Sequence, residues 1–236
     1  MLEKRSETKG ILSDRARWVL TLALGMLVIL WRLVLPITAS EITVATVLTT
    51  AGLDLVLTAV LILINRHELK EAFIRKFALK DFFKIIVCFI IFFIFVNASQ
   101  TLLGFTGIQL IQSPAAWVAD QYSVVFPVGL IISVLVAAPI WEEIAFRMAG
   151  RNLIKNKFLF VLITTFLFVL IHTGTYLIAN VSDVGFSIPF AFTSGMAYVF
   201  AGIGYAVTYF VTKDIRIVIG VHFLQNLMGT MFMLFG

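Results

Sequence analysis

Hydrophobic residues along this chain fall into seven long runs separated by short polar segments. Each run is close to the roughly 20 residues that an α-helix needs to cross about 30 Å of hydrocarbon. The runs cover Trp18–Leu35, Ile42–Ile64, Phe83–Leu103, Ser123–Trp141, Phe158–Ala179, Phe190–Val211 and Ile215–Phe235. The pattern predicts an all-α protein, a polytopic bundle of about seven transmembrane helices.

Composition agrees with a membrane protein. Of the 236 residues, 61% are apolar and 13% are charged, and the mean hydropathy is +1.03. These values exclude an ordinary soluble domain and a disordered chain. The only cysteine is Cys88, which excludes an intramolecular disulfide and a cysteine-based metal site. We therefore expect the lipid bilayer as a partner, and no nucleic acid despite the net charge of +5.

The basic residues predict the orientation of the chain. If the seven runs span the membrane, 17 of the 18 lysines and arginines lie on one side, and Arg32 is the exception. Cytoplasmic loops collect basic residues, so the N-terminus is predicted inside and the C-terminus outside. Small residues at Thr38–Ser40 allow a secretory signal as an alternative. Its removal would break the alternation of basic loops, which favours a permanent membrane helix.

Three regions follow from this division of the chain. Residues 1–17 form a cytoplasmic N-terminal segment, residues 18–122 hold three helices, and residues 123–236 hold a core of four helices. A basic loop at 65–84 joins the second and third helices. Apolar residues among its charges predict either an amphipathic helix on the inner leaflet or a solvated connector.

Ionisable residues inside a membrane are rare and usually functional, because a buried charge there costs at least about 2.5–3.5 kcal/mol. The candidates are Arg32, Asp54, Glu142, Glu143, Arg147, His172 and His222, together with the amide of Asn226. Glu143 and Arg147 have the i, i+4 spacing of a helical ion pair. Glu142 points about 100° away from Glu143, so it does not share the partner of Glu143 and can act as a general base. The alternative is that both glutamates mark the end of the fourth helix at the membrane surface.

Histidines in two further runs favour the catalytic interpretation. His172 lies in the fifth run, and His222 lies in the seventh with Asn226 one turn later. A carboxylate and two imidazoles can activate water, either directly or around a divalent metal. An amide and an imidazole can donate hydrogen bonds to a tetrahedral oxyanion. This set predicts hydrolysis of an amide bond within the bilayer, although residue counting places His172 deeper than the other groups.

The ordered motifs resemble a known family. Glu142-Glu143 with Arg147, Phe168 with His172, and His222 with Asn226 are similar to the motifs of CAAX-protease and bacteriocin-processing intramembrane endopeptidases. This group is also called the abortive-infection or type II CAAX prenyl endopeptidase group. The resemblance covers about Ser123 to Asn226.

The resemblance implies a role for each motif residue. Glu142 with His172 would activate water, His222 with Asn226 would stabilise the oxyanion, and Glu143 with Arg147 would support the site. The favoured mechanism requires no cofactor, while zinc bound by Glu142, His172 and His222 is the alternative. The substrate would be a membrane-associated protein or peptide, such as a CAAX protein, a pheromone or a bacteriocin precursor. We expect the protein in a bacterial plasma membrane. Counting residues from the basic loops near Arg151 and Lys213 predicts a site that opens to the cytoplasm.

Two other functions remain open at this stage. A non-catalytic bacteriocin-immunity or scaffold protein could keep the same core and act by binding. An ion-coupled transporter could use Asp54 with the glutamates and histidines as a proton path. For Asp54 we favour a structural role, as the partner of Arg32 or of a hydroxyl group such as that of Thr58.

Overall fold

The computed structural model describes residues 13–34, 42–107, 114–183 and 188–235, with side chains at 31–34, 114–118, 174–183 and 188–194 left out. These described residues form nine helices and no strand, which confirms the all-α prediction. The helices are α1 (Asp14–Val34), α2 (Val44–Ile64), α3 (Arg66–Ile74), α4 (Leu79–Gly104), α5 (Pro114–Val125), α6 (Pro127–Leu153), α7 (Lys157–Asp183), α8 (Ile188–Thr212) and α9 (Ile215–Phe235).

The protein is an integral, multi-pass membrane protein. Within the described residues, five helices are long and apolar enough to cross a membrane: α2, α4, α6, the Gly195–Thr212 part of α8, and α9. The part of α7 whose side chains are described, Lys157–Thr173, is apolar but shorter than the five helices named above. The count of about seven spans and the cytoplasmic N-terminus stay predictions. Residues 1–12 and the Thr38–Ser40 segment lie outside the described residues.

Helix α6 lies at the centre of the bundle. It packs against α1, α2 and α9, and 61% of its apolar window is buried, compared with 11% for α4. The sequence placed its end at Trp141, but the helix continues to Leu153. The charged residues after Trp141 were interpreted as a membrane boundary, whereas they are buried inside the bundle. The predicted start at Ser123 also differs, because Ser123 belongs to α5 and α6 begins at Pro127.

Only the first part of the basic loop forms the predicted amphipathic helix. Helix α3 ends at Ile74 and buries Leu69, while Phe73 and Phe77 are more than half exposed. Leu79 already belongs to α4, so the segment up to Lys84 is not one helix.

The start of α4 has its own cap. The Asp81 carboxylate accepts a hydrogen bond from the backbone N–H of Ala78 at 3.1 Å. An acidic side chain in the first turn satisfies a helix N-terminus in this way. The cap separates α4 from α3 and fixes the turn between them.

Charged residues fasten this turn to the connection between α8 and α9. The Arg216 guanidinium donates to both carboxylate oxygens of Asp214, at 3.0 and 2.7 Å, and to the backbone carbonyl of Arg75 at 3.0 Å. Arg75 in turn donates to Asp81 at 2.9 Å. Burial opposes ionisation of Asp214, but its hydrogen bonds and ion pairs with Arg216 and Arg75 outweigh this effect and hold the pKa of its carboxyl below the usual value.

Candidate active site

The glutamates of the site lie on an irregular part of α6. Two π-helical segments, Ile131–Ala137 and Glu143–Met148, interrupt its α-helical hydrogen bonding. Such segments occur frequently at functional sites. Glu142 precedes the second segment and Glu143 begins it, and both side chains are buried. The glutamates therefore do not mark the end of the helix, and they are enclosed by protein.

Glu143 connects α6 to α9. One carboxylate oxygen lies 2.9 Å from Nδ1 of His222, and the other lies 3.3 Å from Nε of Arg147. The pairing with Arg147 is the one that the i, i+4 spacing indicates. The contact with His222 has no signal in the sequence, because the two residues are 79 positions apart.

The guanidinium of Arg147 is fully buried among aromatic rings. Its central carbon lies 4.7 Å from the centre of the Phe168 ring and 5.5 Å from that of Tyr205. A cation over a ring face is attracted by the ring quadrupole. Arg147 therefore has a carboxylate on one side and aromatic faces from α7 and α8 around it, which suits a residue that holds helices together.

His172 lies beside the same aromatic cluster. The Phe168 ring centre is 4.4 Å from the His172 imidazole and 5.8 Å from the His222 imidazole, so one phenyl ring contacts both histidines. Residue counting along separate helices placed His172 at a different depth from His222. The structure places both imidazoles next to the Phe168 ring, while their relative depth in the membrane stays a prediction.

Asn226 on α9 bonds to the backbone carbonyl of Val134 on α6. Helix α6 itself supplies no N–H group to this carbonyl. In a π-helix the donor to the Val134 carbonyl would be the residue five positions later, which is Pro139 and has no N–H. The Ala138 N–H donates to Ser133 instead. The side-chain amide of Asn226 donates to the Val134 oxygen at 2.8 Å. This bond uses one of its two amide hydrogens.

Asp54 takes the structural place that the sequence favours. The Ser133 hydroxyl donates to its carboxylate, and the Thr58 hydroxyl donates to its backbone carbonyl at 2.7 Å. The Ser133 hydroxyl therefore joins α6 to the Asp54 carboxylate on α2, while the Thr58 bond lies within α2. The side chain of Arg32, the other partner considered, lies outside the described residues.

Zinc ligation by Glu142, His172 and His222 is not supported by how the residues are grouped. Among the described side chains, no three of the types His, Cys, Asp and Glu lie close enough together to hold a metal ion. The Nδ1 atoms of both histidines also face other groups.

Comparison with known proteins adds the decisive observation. The family model described as "Type II CAAX prenyl endopeptidase Rce1-like" matches residues 123–228, the segment that contains every motif residue of the site. We refer to this segment, which is similar to that family, as the Rce1-like domain. No curated protein and no solved structure matches the chain.

The match confirms the family resemblance for these residues, and the matching family is one of CAAX-type intramembrane proteases, which are hydrolases. It includes α6, α7, α8 and most of α9, but it does not include α1 to α4. Those four helices nevertheless pack directly on the domain.

Sequence reasoning missed two aromatic residues of the Rce1-like domain. Tyr198 stacks on His172 with ring centres 4.3 Å apart, and Tyr205 stacks on His222 at 4.4 Å. Their spacing of seven residues, about two turns, places both on one face of α8. This spacing was the available signal, but tyrosines in an apolar helix are equally compatible with a lipid-facing or packed position.

Proposed function

We propose that this protein cleaves a peptide bond by attack of a water molecule that Glu142 and His172 activate, with His222 and Asn226 stabilising the oxyanion. The observation that carries the proposal is the contact of Glu143 with His222, which joins the glutamate-bearing helix to the second histidine. Phe168 brings the first histidine to the same cluster.

The hydrogen bonding of His172 suits a proton acceptor. Its Nδ1 lies 2.7 Å from the backbone carbonyl of Phe168. A carbonyl only accepts, so Nδ1 must carry the hydrogen. In the neutral imidazole, Nε2 then holds a lone pair and can take a proton from water. Glu142, on the neighbouring helix α6, supplies the carboxylate for the same proton transfer.

The hydrogen bonding of His222 suits an oxyanion donor. Glu143, which is ion-paired with Arg147, accepts the Nδ1 hydrogen of His222. To donate through Nε2 as well, the imidazole must be protonated on both nitrogens. In this proposal the Glu143 carboxylate and the developing oxyanion together balance that charge in the transition state. The second amide hydrogen of Asn226 completes a pair of donors for the oxyanion.

We propose a membrane-anchored protein or peptide as the substrate. Beside the site helices is a cavity of about 360 Å³. Its apolar lining comes from α3 and the turn after it, from α6 and from α9: Phe73, Phe77, Leu135, Val136, Pro139, Ile140, Ile219 and Phe223. Such a cavity suits the hydrocarbon part of an anchored substrate.

Cleavage of peptides by the purified full chain in detergent tests this function. A farnesylated CAAX peptide and its unmodified form would be incubated with wild type, Glu142→Gln and His222→Ala, each with and without a strong chelator. Glu71→Gln, on the exposed face of α3, is the matched control. We expect chelator-resistant cleavage that both site variants lose and the control keeps.

Each other result has a definite meaning. Cleavage that survives in Glu142→Gln would overturn the catalytic assignment. Loss of wild-type cleavage with the chelator, restored by zinc, would overturn the metal-free mechanism. A biological effect of the protein that persists in Glu142→Gln would favour the binding-only immunity or scaffold function.

A further inference from the structure

Helix α4 lies outside the Rce1-like domain but reaches its second histidine through a stack of rings. Phe92 on α4 is buried, with 2% of its surface exposed. Its ring is stacked on Tyr205 with centres 4.6 Å apart and an angle of 11° between the planes. Tyr205 is stacked on His222 at 4.4 Å and 20°. Three nearly parallel rings therefore connect α4 to the proposed oxyanion donor.

The backbone packing around this stack fixes the position of α4. A Cβ atom on Gly204 would lie 2.6 Å from the Phe92 ring, and one on Gly220 would lie 2.7 Å from the Ile85 side chain. Both glycines thus allow α4 to approach α8 and α9 more closely than any other residue would. The Phe92 ring is held against the backbone of α8, so it has little room to move away from Tyr205.

The stacked ring of Tyr205 limits rotation of the His222 imidazole, which the contact with Glu143 alone does not prevent. The Glu143 contact at Nδ1 fixes one point of the imidazole, about which the ring can still pivot. A flat face at 4.4 Å removes this pivot, because rotation of the imidazole would drive its edge into Tyr205. The direction of Nε2 is therefore set jointly by the carboxylate and by the stacked ring.

We propose that Phe92 and Tyr205 are positioning residues for His222, so that helices outside the Rce1-like domain contribute to its catalytic geometry. This inference rests on the proposed role of His222 as an oxyanion donor. It gives α4 a function that neither the motifs nor the family match assigns.

A set of ring-removing and ring-keeping variants tests the proposal by kinetics. Tyr205→Phe keeps the stack and should retain the wild-type kcat. Tyr205→Leu and Phe92→Leu remove a ring and should lower kcat by about threefold to tenfold, the range expected for an aromatic pair. KM should stay within about twofold, because the group acts in the transition state. Tyr205→Leu also removes a ring near Arg147, whereas Phe92→Leu acts on His222 only through Tyr205.

The matched control is another aromatic contact between the same two helices. Phe95 on α4 meets Phe200 on α8 edge to face, with ring centres 6.4 Å apart. Phe95→Leu should leave kcat unchanged and, because Phe95 is 38% exposed, should lower thermal stability less than Phe92→Leu does. If Tyr205→Leu does not fold, Phe92→Leu with this control carries the test.

A spectroscopic measurement tests the stack independently of cleavage. The chain has only three histidines, so imidazole carbon-bound protons of labelled protein give three assignable sets of NMR signals. Stacked rings shift such protons upfield. Phe92→Leu should move the His222 signals and leave those of His67, in the basic loop, unchanged.

The outcomes separate this inference from the proposed function. An unchanged His222 signal in Phe92→Leu, or a kcat loss in Tyr205→Phe equal to that in Tyr205→Leu, would overturn the positioning role. Full cleavage by Glu142→Gln together with a moved His222 signal would instead overturn the proposed function and leave the stack established.

Discussion

The Glu143 carboxylate lies 2.9 Å from Nδ1 of His222, and its other oxygen faces the buried guanidinium of Arg147 at 3.3 Å. One glutamate therefore balances a buried cation and orients an imidazole from a distant part of the chain. Its neighbour Glu142 points in another direction and has a different proposed task. Stability and catalysis should accordingly depend on different glutamates.

Substitution of the two glutamates separates these effects. Glu143→Gln leaves Arg147 buried without its counter-charge, which costs about 3–5 kcal/mol. We expect a clear fall in Tm in detergent together with loss of cleavage. Glu142→Gln should abolish cleavage with a Tm near that of wild type. Equal falls in Tm for both variants would contradict the division of roles.

The bond from Asn226 to Val134 predicts a rescue of stability without a rescue of activity. Asn226→Ala leaves the Val134 carbonyl without a donor and should cost about 1–3 kcal/mol of stability. Adding Pro139→Ala provides a backbone N–H that can reach the carbonyls of the first π-helical segment. The double variant should regain Tm but not cleavage. Regained cleavage would show that the Asn226 amide is not an oxyanion donor.

Asp54→Asn should be tolerated. The asparagine side-chain carbonyl can still accept the hydrogen bond from Ser133, so the link between α2 and α6 persists. We expect cleavage and Tm near wild type, and a lower Tm for Asp54→Leu, which cannot accept that bond. Proton-linked uptake that Asp54→Asn abolishes would support the transporter alternative instead.

Acid should weaken the clamp between the α3–α4 turn and the α8–α9 connection. The pKa of Asp214 lies below its unfolded value of about 3.9, so its carboxylate stabilises the fold above that pH. This contribution is lost as pH falls through the lower folded pKa. The Tm difference between wild type and Asp214→Asn should be present at pH 7 and shrink below about pH 4. Exposed Asp14, substituted by Asn, should show almost no difference at either pH.

The helices were largely predictable because lipid selects long apolar runs. The runs predicted at Ile42–Ile64 and Ile215–Phe235 agree closely with α2 and α9. The predicted end of the fourth run, at Trp141, was wrong. Hydropathy counts Glu142, Glu143 and Arg147 as polar, but it contains no information on whether such groups are solvated or paired within the bundle.

The members of the candidate site were predictable from their types, but their contacts were not. Charge and rarity single out His172 and His222 in an apolar chain. Nothing in the local sequence distinguishes Tyr205 from a lipid-facing tyrosine, or Phe92 from the other phenylalanines of α4. Stacking depends on which helices are neighbours, and this is set by packing across the whole bundle.

Helix α4 packs closely against Gly204 and Gly220, and this packing affects what a truncated form of the protein would retain. A fragment beginning at residue 123 would keep every motif side chain, but it would leave two backbone grooves open to detergent or lipid. Tyr205 would lose the ring on its outer face. The family match therefore ends inside one packed helical bundle, and we expect residues 123–236 to lose stability when α4 is removed.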